Sequence, residues 1–250
     1  MTLAHKYLWT VNMDTQAAET QFAKHALAIG ATGVCIRTSS GRLAASIKNF
    51  KQLGLRVYGW RWPSATAAGA TAEANKVAGT LIPAGLDGYI VDPESDGPGA
   101  NDWNRPGLGP LAANFCKIIR TAGGKSFVIG TTSGCAYPSP GGKPNIPWKE
   151  FFAASDILLP QTYWRWTNNG KVSDINGGSP AKAIKRGMTA WQPKSQVTPI
   201  LPMLGEADVV TPQEIASYGS ELAGWKVNEG HFYTDNGKIS VANLAAMQAL

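Results

Sequence analysis

Short apolar, β-branched runs alternate along this chain with longer stretches in which apolar positions return every three to four residues. The first pattern predicts strands at Tyr7–Val11, Gly33–Thr38, Arg56–Trp60, Gly88–Asp92, Ser126–Thr131, Ile157–Tyr163, Thr198–Met203 and Glu229–Tyr233. The second predicts helices at Thr15–Ile29, Leu43–Leu53, Thr66–Ile82, Leu108–Ala122, Trp148–Ala154, Pro180–Gln192, Pro212–Ala223 and Val241–Ala249. Several helices carry their own punctuation. Thr211-Pro212-Gln213-Glu214 reads as an N-cap, an N1 proline and an acidic N3, and Gly30, Gly54 and Gly224 follow last turns. Eight strand–helix pairs in 250 residues have the size and rhythm of a single (β/α)8 (TIM) barrel spanning residues 1–250.

In such a barrel the C-terminal ends of the strands form the functional rim, so position separates candidate chemistry from core. The fourth strand ends in Asp92-Pro93-Glu94. Residues two apart on a strand share a face, with Cα atoms roughly 6.6 Å apart, so the two carboxyls project side by side. Charge on one raises the proton affinity of the other, which is how a protein keeps an acid protonated near neutral pH. The alternative, a salt-bridged strand-end pair, calls for a neighbouring arginine, and this pair closes an apolar strand. The same rim gathers Asn12 and Asp14, Arg37, Trp60, Arg61 and Trp62, Thr131–Ser133, Gln161, Tyr163, Trp164 and Trp166, Met203 and Glu206, and Tyr233 and Asp235. Trp60, Trp62, Trp164 and Trp166 are candidates to stack on sugar rings, whereas Trp9, Trp191 and Trp225 read as structural.

Composition narrows the chemistry. With 44% hydrophobic and 16% charged residues and no linker-like stretch, the chain supports one substantial core. Cys35, Cys116 and Cys135 form an odd, scattered set without a CxxC pair, so neither a disulfide framework nor a cysteine zinc site is expected. His5, His25 and His231 are too few and dispersed for a metal or triad site; only His231 is expected near the pocket. No metal or other cofactor is expected. Thr131-Thr132-Ser133-Gly134 does not match a nucleophile elbow, and Gly97-Pro98-Gly99 and Gly141-Gly142 read as loop turns rather than phosphate cradles. The net charge of +6 favours an acidic polymer as partner, while dispersed Lys and Arg without a recognition motif argue against nucleic acid.

Asp87-Gly88-Tyr89-Ile90-Val91-Asp92-Pro93-Glu94 resembles the D-x-x-D-x-D-x-E fourth-strand signature of family 18 glycoside hydrolases, with Ile90 in place of the second aspartate. Its Asp-x-Glu core also resembles family 25 lysozymes. Gln161-Thr162-Tyr163-Trp164 is similar to the sixth-strand motif of family 18. The resemblance implies Glu94 as acid/base, Asp92 as the partner that helps a substrate N-acetyl group act as nucleophile, and Tyr163 as a hydrogen-bond donor to that group. The first strand, with Asn12 and Asp14 only, lacks the clear G-x-D-x-S of family 25.

The expectation is a retaining glycoside hydrolase cleaving β-1,4 bonds of an N-acetylhexosamine polymer, with peptidoglycan preferred and a muramidase preferred over a chitinase. Expected substrate-binding residues are Tyr163, Gln161, Trp60, Trp62, Trp164, Trp166, Asp14 and Tyr233. Glu206 is the alternative nucleophile, which would place it about 5 Å from Glu94. A non-catalytic glycan-binding barrel is the rival reading, motivated by Ile90. No apolar run suits a membrane span and no Sec-type leader is visible. A protein made in the cytoplasm would then act on the wall after phage lysis or through a secretion apparatus, where an immunity or delivery partner is the kind of protein it would meet.

Overall fold

The computed structural model describes residues 2–196 and 198–250. In chain order the strands are β1 (His5–Thr10), β2 (Gly33–Arg37), β3 (Arg56–Arg61), β4 (Gly88–Val91), β5 (Val128–Gly134), β6 (Ile157–Gln161), β7 (Arg165–Asn168), β8 (Lys171–Asp174), β9 (Met203–Leu204) and β10 (Glu229–Phe232). The helices are α1 (Gln16–Ala28), α2 (Leu43–Gln52), α3 (Ala67–Lys76), α4 (Gly109–Gly123), α5 (Trp148–Ala154), α6 (Pro180–Ser195), α7 (Pro212–Gly224) and α8 (Val241–Gln248). All strands except β7 and β8 join one parallel sheet in the order β6-β5-β4-β3-β2-β1-β10-β9. Its two edges meet where Leu158 N–H donates to Pro199 O at 2.9 Å and Leu201 N–H to Leu158 O at 2.7 Å, closing a (β/α)8 barrel.

The predicted strand Thr198–Met203 forms only in part. Pro199 and Pro202 cannot donate to a ladder, so Ile200 bridges to β6 while Met203–Leu204 pairs with β10. Strand β5 lies later than Ser126–Thr131 and carries Thr132 and Ser133 inside it, whereas β6 stops at Gln161 rather than Tyr163. The predicted helix Thr66–Ile82 is α3 continued by a wider π turn at Val77–Leu81. The capping box at Thr211 and Glu214 is present.

One element escaped the barrel rhythm: β7 and β8 form an antiparallel hairpin inserted between β6 and α6. Its two-residue turn, Asn169-Gly170, has positive φ at both positions (49° and 74°), which the Asn-Gly pair accommodates.

The barrel interior is filled in layers by aromatic side chains. Near the N-terminal end Tyr7 stacks between Tyr58 and His231, with ring centroids 5.0 and 4.9 Å away. Above it, Trp9, Trp60 and Tyr233 meet edge to face or tilted at 5.8–6.4 Å. Asp87 and Asp156 play matching roles before β4 and β6: each carboxylate accepts a neighbouring strand's N–H, from Val57 and Ile129, and pairs with Lys51 and Arg120 respectively. The first aspartate of the fourth-strand motif therefore anchors the barrel's N-terminal end.

Candidate active site

A cleft of about 930 Å³ opens at the C-terminal ends of the strands. Asp92 and Glu94 lie in it just beyond β4, held by the backbone on three sides. Asp92 N–H donates to Arg61 O (2.8 Å), Ser133 Oγ to Pro93 O (2.7 Å), and Trp103 N–H to Glu94 O (3.0 Å). Both carboxyls line the cleft and act on each other's proton affinity. Asp92 is buried, and Glu94 is partly open to the cleft. Among the described residues neither forms an ion pair.

Burial, then the charge of Glu94, pushes the proton affinity of Asp92 well above the ordinary carboxylate range. Burial likewise lifts Glu94 to about 7, with Asp96 adding to the rise and Gln161 and Lys143 opposing it. The pair therefore retains a proton at neutral pH, shared rather than owned by one carboxyl. Gln161 Nε2 donates to Asp92 Oδ1 at 3.1 Å, orienting one carboxyl from β6. Ile90, wholly buried, places hydrocarbon beneath Asp92 where the family 18 motif has a carboxylate; the polar partner of Asp92 comes from β6 instead.

The aromatic candidates divide. Tyr163 and Tyr233 stack at 5.3 Å with planes 11° apart, and both line the cleft. Burial holds both phenols protonated, so each can donate. Gly205 lies flat beneath the Tyr163 ring, where any side chain would collide. Trp60 presents a face to the cleft while its indole N–H donates to Thr10 O (3.0 Å), and Trp62 does the same with Asn101 O (2.8 Å). Trp166, on the hairpin, is 42% exposed and overhangs the cleft.

Three expected residues are elsewhere. Trp164 is fully buried against Tyr218 of α7. Because β6 ends at Gln161, the alternation that pairs Trp60 with Trp62 does not extend to Trp164 and Trp166. The Asp14 carboxylate accepts Gly41 N–H (2.9 Å) and does not line the cleft, since β1 ends four residues earlier at Thr10. Glu206 accepts Thr167 N–H (2.9 Å), tethering the hairpin, and is likewise not among the cleft-lining residues. Asp235 is buried against His25 (2.8 Å). His231 lies inside the barrel, accepting the Trp9 indole N–H (3.1 Å) and meeting Glu229, so it reaches the cleft only through Trp9.

Asp96, Tyr137, Lys143, Asn176 and Arg186 also line the cleft and were not singled out from sequence, nor was Trp9 as a lining residue. Asp96 had a signal, another i+2 step beyond Glu94. Tyr137, Lys143 and Asn176 come from loops and Arg186 from α6, whose placement no local period encodes. No helix among the described residues is long and apolar enough to cross a membrane.

No protein-family model and no curated protein matches the chain. Solved structures do share its fold. A family 18 N-acetylglucosaminidase from Paenibacillus barengoltzii has a TM-score of 0.66 at 10% identity, over 98% of this chain and 99% of that one. The spore cortex-lytic enzyme SleL of Bacillus cereus has a TM-score of 0.69 at 10% identity, over 98% and 74%. A xylanase-A-amylase inhibitor protein has a TM-score of 0.65 at 15% identity, over 100% and 99%. At 10–15% identity these likenesses show a shared barrel fold.

Proposed function

We propose that this protein is a retaining glycoside hydrolase of an N-acetylhexosamine polymer, with Glu94 as acid and base. One observation carries the reading: two neighbouring carboxyls, both raised by burial and Asp92 further by the charge of Glu94, with no cation in contact, sit in an aromatic-lined cleft at the C-terminal rim. Glu94 protonates the glycosidic oxygen as the bond to C1 breaks. The substrate's acetamido oxygen attacks C1 from the other face, its N–H held by Asp92 and its carbonyl group by the Tyr163 phenol. Glu94, now a carboxylate, takes a proton from the water that reopens the ring and restores the sugar. Gln161 keeps Asp92 aimed at the acetamido group. Glu206 has no part in this route, being committed to the Thr167 amide.

Peptidoglycan is favoured over chitin by the net charge of +6, and the likeness to a cortex-lytic barrel agrees with it. The test is digestion of purified peptidoglycan and of chitin oligomers by the wild type and Glu94→Gln, with mass spectrometry of new reducing ends. Cleavage after N-acetylmuramic acid, abolished by the substitution, is the expected result. The rival is a glycan-binding barrel without turnover, favoured by Ile90 and by the likeness to an inhibitor of the same fold; binding without new reducing ends in the wild type would establish it.

A further inference from the structure

A second groove, about 1070 Å³, runs along the outer wall of the cleft between α6 and the loop that follows β5. Ala136, Ser139 and Arg186 line both, so the two are continuous. Pro138, Pro140, Pro144 and Pro193 form stiff apolar walls, and Lys182, Lys185, Arg186 and Lys194 of α6 supply the charge. Lys182, Lys185 and Arg186 follow i, i+3, i+4 spacing, which puts them on one exposed helix face. Neither α6 nor the loop segment 135–147 contains an Asp or Glu, and none of the four cations forms an ion pair among the described residues.

We infer that this groove binds the acidic peptide arms of a peptidoglycan-type strand whose sugars occupy the cleft. The inference rests on the glycan reading of the cleft and deepens it. The cleft is lined by Asp92, Glu94 and Asp96, whose net negative charge repels anionic substituents. A strand bearing carboxylates therefore needs a place where they lie away from those acids, and the α6 face provides it beside the cleft. A neutral polymer has no use for four unpaired cations along its path. The proline walls suit an extended peptide, which packs its apolar side chains while its carboxylates meet the lysines.

The test uses Glu94→Gln protein, which cannot consume its ligand, with and without Lys182→Gln, Lys185→Gln and Lys194→Gln together. Co-sedimentation is measured with intact sacculi, with sacculi stripped of peptide by an amidase, and with chitin; free stem peptides are titrated in parallel. The triple substitution should weaken binding to intact sacculi about tenfold at low salt. It should abolish peptide binding and leave stripped sacculi and chitin unchanged. Unaltered affinity for intact sacculi, or an equal loss on all three polymers, would overturn the groove. Hydrolysis by the Glu94-containing protein is scored separately. Turnover without a triple-substitution effect removes the groove and keeps the enzyme, whereas peptide binding lost in the triple variant without turnover keeps the groove and removes the enzyme. Absence of both binding and turnover removes both.

Discussion

Glu19, on α1, and Glu94, past the end of β4, are acids drawn into the same fold, and their neighbours send them in opposite directions. Around Glu19, Arg42 Nε and Asn49 Nδ2 each donate at 2.8 Å, joining α1 to α2. Burial alone would raise that carboxyl, but the donors outweigh it and hold it below the ordinary value. Around Glu94, Gln161 and Asp92 pull the other way but no cation is in contact, and burial wins. Burial thus does not distinguish a stabilising carboxylate from a reactive one; the presence of a donor set does. The fold is strengthened by ionising Glu19 and weakened by ionising the Asp92–Glu94 pair.

The sharpest break of the comparison is to replace each acid by its amide. Glu94→Gln should lower turnover about 10³-fold, because a positioned general acid contributes on that scale, while Glu19→Gln should leave kcat within about twofold. Steady-state release of reducing ends measures both. A Glu94→Gln protein retaining a tenth of wild-type turnover would remove Glu94 from the mechanism.

Stability should move the other way. Glu19→Gln should cost about 2 kcal/mol at pH 7, less than a fully buried pair because Arg42 is partly exposed. That cost shrinks as pH falls, since a depressed folded pKa supplies stability above the unfolded value and loses it on acidification. Glu94→Gln should stabilise by about 2 kcal/mol above pH 7 and by nothing near pH 4, since a raised folded pKa supplies stability below the unfolded value and loses it as pH rises to about 7. Urea midpoints of the three proteins from pH 4 to 8 should therefore diverge in opposite senses. Parallel curves would mean the two acids do not differ as argued.

The contrast also explains what could be read from the chain. The barrel was legible because each strand and helix has its own period, and Asp92-Pro93-Glu94 because an i, i+2 pair on a strand fixes a shared face. Trp164 misled for the same reason: its alternation with Trp166 mimics a strand, but β6 ends at Gln161 and the chain turns the indole into the core. The hairpin had a readable Asn169-Gly170 turn, but the strand–helix rhythm of a barrel has no place for a strand pair between β6 and α6. Glu206 and Asp14 lie in the loops past the strand ends, where position along the chain gives the rim but not the direction of a side chain. Gln161 was expected to meet substrate; its hydrogen bond to Asp92 depends on β4 and β6 flanking β5, which is tertiary information.

Gln161 bears on the comparison because its amide is a weak version of the donors around Glu19. Its hydrogen bond lowers the proton affinity of both acids. Gln161→Leu should reduce kcat about tenfold by freeing Asp92, and it should move the alkaline limb of the kcat/KM profile upward, from a position no lower than about 7 in the wild type. A downward shift would mean that Gln161 does not donate to the ionised pair.

The smallest effects come from charges that face Glu94 without touching it, and they have opposite signs. Lys143 lowers the proton affinity of Glu94 and Asp96 raises it. Lys143→Gln should therefore move the alkaline limb up, and Asp96→Asn should move it down, each by a few tenths of a pH unit. Both shifts should fade when ionic strength rises from about 0.01 to 1 M, because the screening length falls from roughly 30 to 3 Å. The limb itself should stay above the ordinary carboxylate range at every salt concentration, since burial sets it. A limb that collapsed to the ordinary range in high salt would show that the raised proton affinity of the pair is a property of the surface field and not of the cleft.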